Sequence, residues 1–301
     1  MPNDMNSPEI DTHISKDRVK RSFSSATESY DEHAVLQREI GDRLINHLTF
    51  TKIDPKRILD IGCGTGYVTR LLCQRFKKAD VTALDLSESM VKATCDNHSR
   101  RLPWHGRRHH VVSDGCSLPF ADGSFDLVTS NLAMQWVPEP MQMMREMRRV
   151  LAPGGLLIFS TFGRRTLSEL RQALADIAHE RAGLVLPFPD VTSLGDSLME
   201  LAVELPVTDT DIFTLTYPNT MALVRELKHI GASSSAIQSR PNGLYGRSLL
   251  KQLDAAYTER YRDDEGRVHA TFEALYAQAW YKEPGYEHAD RVIPIEIGGI
   301  E

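Results

Sequence analysis

The 301-residue sequence lacks several features that mark particular classes of protein. No apolar run approaches the roughly 18 residues of a membrane span, and residues 1–17 contain no apolar stretch of the kind found in signal peptides. Lys and Arg total 35 against 41 Asp and Glu, a net charge of −6, whereas a general nucleic-acid binder needs a basic face. We therefore expect a cytoplasmic, monomeric protein that binds neither membrane nor nucleic acid.

Patterns for metal binding, disulfides and repeats are also missing. The four cysteines form no CxxC pair, which favours reduced thiols. His105, His109 and His110 lie close together, but neighbouring arginines such as Arg107 and Arg108 would repel a cation. No carboxylate cluster has metal-ligand spacing, so we expect no metal. No segment of 20–50 residues repeats, which argues against a solenoid.

What the sequence does contain is an alternation of short apolar runs with helical patterns. Apolar residues recur at helical spacing from Asp17 to about Phe50, and the later alternation is typical of βαβ units and a mainly parallel sheet. The predicted strands are 57–61, 81–84, 109–113, 125–130, 156–161, 211–217 and one within 267–281. The predicted helices after residue 50 are 66–76, 88–97, 138–151, 167–182, 192–205, 220–230 and 246–260.

The strongest local signal is the segment Asp60-Ile61-Gly62-Cys63-Gly64-Thr65-Gly66, between a predicted strand and a predicted helix. Glycines there permit a sharp turn and let a ligand approach the main chain, although an ordinary tight turn is the plainer alternative. The spacing is GxGxG rather than the GxGxxG of dinucleotide enzymes, and an acid precedes it. This favours a ligand that lacks a pyrophosphate and carries positive charge.

Two further acids follow the next two predicted strands. Asp85 ends the second strand, where its two oxygens suit the hydroxyls of a ribose. The alternative is a helix cap, for which Ser87 is better placed. Asp114 follows the third strand and suits an adenine amine, while the amide of Gly115 or Cys116 donates to a ring nitrogen; a simple turn is the alternative.

Together these segments resemble the class I S-adenosylmethionine (SAM) methyltransferases. The matching segments are DIGCGTG at 60–66, ALDLSESM at 83–90, SDGCSLPF at 113–120, FDLVTSNLAMQW at 125–136 and LAPGG at 151–155. The resemblance implies a Rossmann-like α/β fold with a seven-stranded, mainly parallel sheet whose last strand is antiparallel. It also implies helices on both faces, an N-terminal helical lid and an inserted helical cap.

The resemblance also implies which residues hold SAM at the carboxyl edge of the sheet. The methionine part would lie near Asp60, Gly62 and Gly64, and the sulfonium near Asn131 and Leu132. The complete set of expected cofactor-binding residues is Asp60, Gly62, Cys63, Gly64, Gly66, Asp85, Leu86, Met90, Asp114, Gly115, Cys116, Asn131 and Leu132.

Other segments narrow the resemblance to one family. RSFSSATESYDEHAVLQ at 21–37, SNLAMQW at 130–136, FSTFGRRTLSEL at 159–170, LKHIGA at 227–232 and LYGRS at 244–248 look like the malonyl-acyl-carrier-protein O-methyltransferases of biotin synthesis. This similarity covers about residues 18–280. It implies one methyltransferase domain over 17–282. Its parts are N-terminal helices at 17–50, a SAM-binding core at 51–163, and the substrate cap and closing strands at 164–282. From their composition, the polar residues 1–16 are expected to form a disordered tail and the Pro- and Gly-bearing residues 283–301 a loose tail.

The implied reaction needs no general base. The free carboxylate of a malonyl thioester, on carrier protein or coenzyme A, is already ionised at neutral pH and attacks the methyl group of SAM. The products are a methyl ester and S-adenosylhomocysteine. The site has to orient and desolvate the carboxylate, for which we expect Tyr30, Gln135, Lys228 and Arg247, with Tyr30 ranked first.

The substrate and its carrier are less directly indicated than the cofactor. An acidic carrier protein needs a basic face, which Arg145, Arg148 and Arg149 or the loop 100–108 offer, unless salt bridges neutralise them. Alternatives are a SAM-dependent methyltransferase acting on another free acid or a quinone ring carbon, and a SAM-binding protein without transfer activity.

Overall fold

A computed structural model of the chain describes residues 15–97, 106–177, 188–229 and 244–282. Among these residues, no helix is long and apolar enough to cross a membrane. The predicted tail 283–301, all but the last two residues of the predicted tail 1–16, and most of the basic loop 100–108 lie outside the described residues.

Seven strands and nine helices make up the described parts of the chain. The strands are β1 Arg57–Ile61, β2 Asp80–Asp85, β3 Arg108–Val112, β4 Phe125–Asn131, β5 Leu151–Phe162, β6 Glu204–Tyr217 and β7 Val268–Trp280. The helices are α1 Lys16–His33, α2 Val35–His47, α3 Tyr67–Arg75, α4 Glu88–Asn97, α5 Pro140–Val150, α6 Ser168–Ile177, α7 Val191–Glu200, α8 Thr220–His229 and α9 Leu244–Tyr261. Short 3-10 turns span Leu48–Phe50 and Met134–Trp136.

All seven strands form one sheet in the order β3-β2-β1-β4-β5-β7-β6. The strands pair in parallel except β7, which is antiparallel to both β5 and β6. The chain progresses outward in opposite directions from β1 and from β4, so a crevice opens at the carboxyl ends of these two strands. The predicted seven-stranded Rossmann-like sheet with an antiparallel last strand is confirmed.

Two apolar cores cover the two faces of this sheet. Successive side chains of a strand point to opposite faces, so Ile58 and Ile158 enter the core beneath α2, α3, α6, α8 and α9. Leu59 and Phe159 enter the other core, beneath α5 and α7. All four side chains are buried, each contributing roughly 1.5–3 kcal/mol of apolar transfer free energy, so the strand ends at the crevice are firmly held.

Two predicted boundaries in the sheet need correction. The predicted helix 192–205 is too long, because α7 ends at Glu200 and the edge strand β6 already begins at Glu204. Pro206 lacks an N–H for the ladder, and the pairing of β6 with β7 is irregular between Glu204 and Val207, as an edge strand tolerates. β5 also starts early, at Leu151, because this residue pairs with Phe125.

Candidate active site

Two adjoining cavities lie at the carboxyl ends of β1, β2 and β4. The main cavity lies between this edge and α1, and its predicted lining residues are Tyr30, Gly62, Gly64, Asp85, Leu86, Met90, Asp114, Gly115, Asn131 and Leu132. The side cavity lies beside the start of α2 and is lined by the predicted residues Asp60 and Cys63. It shares Tyr30, Gly62, Gly64 and Asn131 with the main cavity. The structure therefore brings most of the predicted site residues together.

The glycine loop after β1 owes its shape to two positions. Gly62 has φ +72°, and a Cβ placed there would lie 2.3 Å from the Cβ of Ala133 in the loop after β4. Gly64 has φ +55° and leaves space beneath Tyr30, whose Cε1 would lie 4.0 Å from an added Cβ. Gly66 lies at the start of α3, its amide donates to Cys63, and it lines neither of the two cavities.

Asp60 is a buried acid with one hydrogen-bonded and one unpartnered oxygen. Its Oδ2 accepts from the Thr69 hydroxyl at 2.6 Å, whereas Oδ1 is buried without a hydrogen-bond partner among the described residues. Burial raises the pKa of Asp60 to about 7, and the negative charge on Asp85 adds to this increase. The hydrogen bond from Thr69 acts in the opposite direction and lowers the pKa. Such a carboxylate is prepared to receive a positively charged donor.

Asp85 fastens the glycine loop to the start of α4. Its Oδ2 accepts from the amide of Gly64 at 3.0 Å, and its Oδ1 accepts from the amide of Ser87 at 2.8 Å. Ser87 in turn caps α4, accepting from the amide of Met90 at 3.4 Å, as predicted. Burial raises the pKa of Asp85 despite these amides. Each oxygen keeps a lone pair for a further donor in the main cavity.

Asp114 is paired with a cation that the sequence did not indicate. Lys16, in the first turn of α1, forms an ion pair with Asp114 Oδ2, while Oδ1 accepts from the amide of Cys116 at 2.9 Å. Burial opposes the charge, but the hydrogen bonds from Lys16 and Cys116 lower the pKa of Asp114. The amide of Cys116 is thus already engaged, which argues against its predicted role as an adenine donor, and Cys116 lines neither cavity.

The loop after β4 is held by side chains rather than left open. Leu132 has φ +51°, and its amide donates to the Ser160 hydroxyl at 3.1 Å, which itself donates to Asn131 at 2.7 Å. The Gln135 amide donates to the Leu132 carbonyl at 2.7 Å, and its oxygen accepts from Thr161 at 3.3 Å. Gln135 is buried and lines neither cavity, which argues against it as a holder of the substrate carboxylate.

Helix α1 covers the main cavity and is fastened to the far wall by hydroxyl groups. We call the pairs Ser24–Ser87, at 2.9 Å, and Thr27–Ser89, at 3.0 Å, the α1 latch. Phe23 on the inner face of α1 packs edge-on against Trp136, with ring centroids 5.5 Å apart. The helix therefore closes an apolar roof over the cavity, as a lid would.

Tyr30 is the predicted substrate residue that the structure places best, since it lines both cavities. Burial and the negative charges of Asp85 and Asp31 raise its pKa well above the usual value, so its hydroxyl is a neutral donor at physiological pH. Lys228 lies on α8, which contacts α1, and Arg247 lies on α9. The side chains of these two residues lie outside the described parts.

Of the three α5 arginines in the expected basic face, one is ion-paired within the described residues. Arg149 is neutralised by Glu146 at 2.7 Å and Asp122 at 2.8 Å. Arg148 lies over the ring of Tyr281, 3.9 Å from its centroid. Arg145 is exposed. Among the described residues, salt bridges thus neutralise one of these three arginines, and the basic face stays a prediction.

Comparisons with known proteins identify the fold. A family model described as a methyltransferase domain matches residues 59–159. The YcgJ protein of Bacillus subtilis superposes with a TM-score of 0.54 at 16% identity, covering 81% of this chain and 99% of its own. Phosphoethanolamine N-methyltransferase 2 of Haemonchus contortus, in complex with SAM, gives a TM-score of 0.53 at 17% identity, covering 86% of this chain and 57% of its own. At these identities the structures establish the fold alone.

Curated relatives are much closer in sequence. Malonyl-acyl-carrier-protein O-methyltransferase of Halorhodospira halophila is 43% identical over 94% of both chains. The protein of the same name from Methylovorus is 41% identical over 94% of this chain and 95% of its own. The chain belongs to the malonyl-acyl-carrier-protein O-methyltransferase family. It is therefore a SAM-dependent methyltransferase, and the predicted family is confirmed.

Several residues that line the two cavities of this methyltransferase were not predicted. Lys16, Phe23 and Trp136 line the main cavity, and Gln37 and Arg38 line the side cavity. Phe23, Gln37 and Trp136 belong to segments quoted for the family resemblance, which was a usable signal. Lys16 and Arg38 lie outside these segments and give no local signal, because they reach the site only through tertiary packing.

Proposed function

We propose that this protein transfers the methyl group of SAM to the free carboxylate of malonyl-acyl carrier protein. The product ester would prime pimelate synthesis for biotin. The observation that carries the proposal is near-full-length similarity to relatives of that name, at 43%, 41% and, for Coxiella burnetii, 36% identity over 94%, 94% and 91% of this chain.

The residues of the two cavities fit SAM. Bound SAM supplies an electrophilic methyl group on a sulfonium. The unpartnered oxygen of Asp60 suits the positively charged amino group at one end, and Asp85 suits the ribose hydroxyls. The residues proposed to surround the adenine are Leu86, Met90, Asp114 and Gly115. Asn131 and Leu132 would then lie beside the sulfonium.

The reaction requires positioning rather than proton transfer. A malonyl carboxylate is ionised at neutral pH, so one oxygen attacks the methyl carbon directly. The carbon–sulfur bond breaks, and its electron pair stays on sulfur as S-adenosylhomocysteine is formed. Tyr30 would hold the other carboxylate oxygen through a neutral hydroxyl, and the rings of Phe23 and Trp136 would exclude water.

Methyl transfer to defined acceptors tests the proposal directly. Purified protein is incubated with SAM and malonyl-acyl carrier protein, malonyl-coenzyme A, free malonate or a quinone precursor, and the products are detected by mass. We expect a 14 Da gain on malonyl-acyl carrier protein that alkaline hydrolysis removes, and none on carrier protein that lacks the malonyl group. Methylation of the quinone precursor or free malonate alone would instead indicate a methyltransferase that acts on another small molecule. SAM binding without any product would indicate a SAM-binding protein without transfer activity.

A further inference from the structure

The side cavity contains two buried hydrogen-bond acceptors that nothing in the described chain satisfies. One is Asp60 Oδ1, and the other is the side-chain oxygen of Gln37, in the first turn of α2. Burying an unpaired polar group costs free energy, so native structures usually pair such atoms with protein, water or ligand. Two acceptors beside one cavity call for a ligand group with several N–H donors.

The same cavity also contains a cation whose N–H donors are only partly engaged by the described residues. Of the residues that line the side cavity, Arg38 alone is positively charged. Its guanidinium donates to the backbone carbonyl of Asp31, and its charge acts on the hydroxyls of Tyr30 and Tyr67, lowering the pKa that each would otherwise have. A guanidinium has five N–H donors in a fork that matches a carboxylate.

The oxygens of Asp60 and Gln37 can accept hydrogen bonds from an ammonium group, and the guanidinium of Arg38 can donate to a carboxylate. An α-amino acid carries both of these groups. We propose that Gln37 and Arg38 bind the amino-acid end of SAM, Arg38 through the α-carboxylate and Gln37, together with Asp60, through the α-ammonium. This inference extends the SAM binding of the proposed function to two residues of the N-terminal helices.

The malonyl carboxylate is a poorer occupant for Arg38. A carboxylate held by a guanidinium in a buried site gives up electron density to the ion pair, which weakens it as a nucleophile. In addition, the malonyl group offers no ammonium for Gln37 and Asp60. The apolar roof of Phe23 and Trp136, by contrast, borders the main cavity alone.

Ligands that differ only at the amino-acid end test the assignment. Calorimetric titration compares S-adenosylhomocysteine, its decarboxylated analogue, which keeps the amine, and 5′-methylthioadenosine, which lacks both groups. We expect Arg38→Met to lower the affinity for S-adenosylhomocysteine by about 10- to 100-fold and the affinity for the other two ligands by less than about twofold. Gln37→Leu should lower the affinity for S-adenosylhomocysteine and for its decarboxylated analogue, but leave the affinity for 5′-methylthioadenosine unchanged.

A control on the same helix separates binding from folding. Arg43 on α2 pairs with Asp211 and Glu39 and lines neither cavity, so Arg43→Met should leave all three affinities unchanged. Equal losses for all ligands in Arg38→Met, or an unchanged affinity for S-adenosylhomocysteine with a raised KM for the malonyl carrier, would overturn the inference. The titrations need no methyl acceptor, so they stand even where the proposed substrate proves wrong.

Discussion

At the scale of single residues, Tyr30 combines position and chemistry for the substrate. It lines both cavities, and its hydroxyl stays protonated because burial and nearby Asp85 and Asp31 raise its pKa. A neutral donor can orient a carboxylate without adding a charge that lowers its nucleophilicity. Gln135 was a second candidate, but its side-chain amide is already hydrogen-bonded to the Leu132 carbonyl and the Thr161 hydroxyl.

Tyr30→Phe should therefore reduce turnover more than cofactor affinity. Loss of one hydrogen bond to a charged group costs roughly 1.5–3 kcal/mol, so we expect kcat to fall by about 10- to 100-fold. Affinity for S-adenosylhomocysteine should change by less than about threefold. Tyr261→Phe, at a tyrosine that lines neither cavity, is the control. Unchanged turnover would remove Tyr30 from the site.

The buried charge of Asp60 makes stability depend on pH. Its pKa of about 7 lies above the ordinary value of 3.8, so the folded protein binds more protons than the unfolded chain between these values. The free energy of unfolding therefore decreases as pH rises through this interval. Asp60→Asn removes the charge and should stabilise the ligand-free protein at pH 8 by roughly 2–4 kcal/mol, and by much less at pH 4.5.

Urea unfolding of the ligand-free protein at both pH values measures this difference. Asp209→Asn, at an exposed carboxylate of β6, should show no such dependence. The stabilised Asp60→Asn protein should nevertheless bind S-adenosylhomocysteine more weakly. An equal effect on stability at pH 4.5 and pH 8 would contradict the assigned pKa.

Sequence reasoning located the acids of the site but missed its cations. Asp60 lies near the end of one predicted strand, and Asp85 and Asp114 directly follow two others. Parallel strands bring their carboxyl ends to one edge. Lys16 and Arg38 lie on helices that precede the sheet. Their spacing shows which residues share a helix face, but the cavity that the face meets depends on packing against distant residues.

At the scale of secondary-structure elements, α1 decides access to the main cavity. Its inner face covers the cavity, and the α1 latch joins it to the start of α4 through hydroxyl pairs. Hydroxyl hydrogen bonds contribute only about 1 kcal/mol each, so such a helix can open without unfolding the sheet. We infer that α1 opens to exchange ligands and closes over the reacting groups.

Removing the α1 latch should speed ligand release. In the double variant Ser24→Ala with Thr27→Ala, we expect S-adenosylhomocysteine to dissociate about 3- to 30-fold faster in stopped-flow displacement. Amide hydrogens of α1 should also exchange faster. Ser25→Ala provides the control, because this hydroxyl donates to Ser22 within the same helix. A release rate equal to that of the wild type would show that the latch does not hold the lid.

Element boundaries differed from prediction where tertiary pairing overrides local pattern. Residues 202–205 continue an apolar helical pattern, yet β6 begins at Glu204 because this residue pairs with Trp280 at the end of β7. Pro206 would normally argue against a strand, but β6 is at the edge of the sheet. The central strands β1 and β4 were predictable, because burial on both faces leaves short, mostly apolar runs bounded by turn residues.

At the scale of the whole molecule, the net charge of −6 makes the placement of exposed arginines important for an acidic partner. Arg145 is the exposed member of the α5 arginines, whereas Arg149 is ion-paired. Arg145→Glu should raise the apparent KM for malonyl-acyl carrier protein about threefold or more and leave that for malonyl-coenzyme A unchanged. Arg225→Glu, at an exposed arginine of α8, is the control. Equal effects on both substrates would exclude α5 as the docking face.

The sharing of the two apolar cores between parts of the chain indicates whether it forms one domain. β5 and β7 contribute side chains to both cores, and the helices of the cap, α6, α8 and α9, share one core with α2 and α3. Within the parts of the chain that the structure describes, neither the N-terminal helices nor the cap therefore has a core of its own. This supports our proposal that 17–282 is a single cooperative unit.

Calorimetry should then show a single unfolding transition that a ligand moves as a whole. S-adenosylhomocysteine at about 100 times its Kd stabilises the native state by about 2.7 kcal/mol, which should raise Tm by roughly 4–6 °C for a domain of this size. Arg38→Met at the same ligand concentration should show a much smaller shift, because its occupancy falls. Two resolved transitions, of which the ligand moves only one, would instead divide the chain into a SAM-binding unit and an independently folded cap.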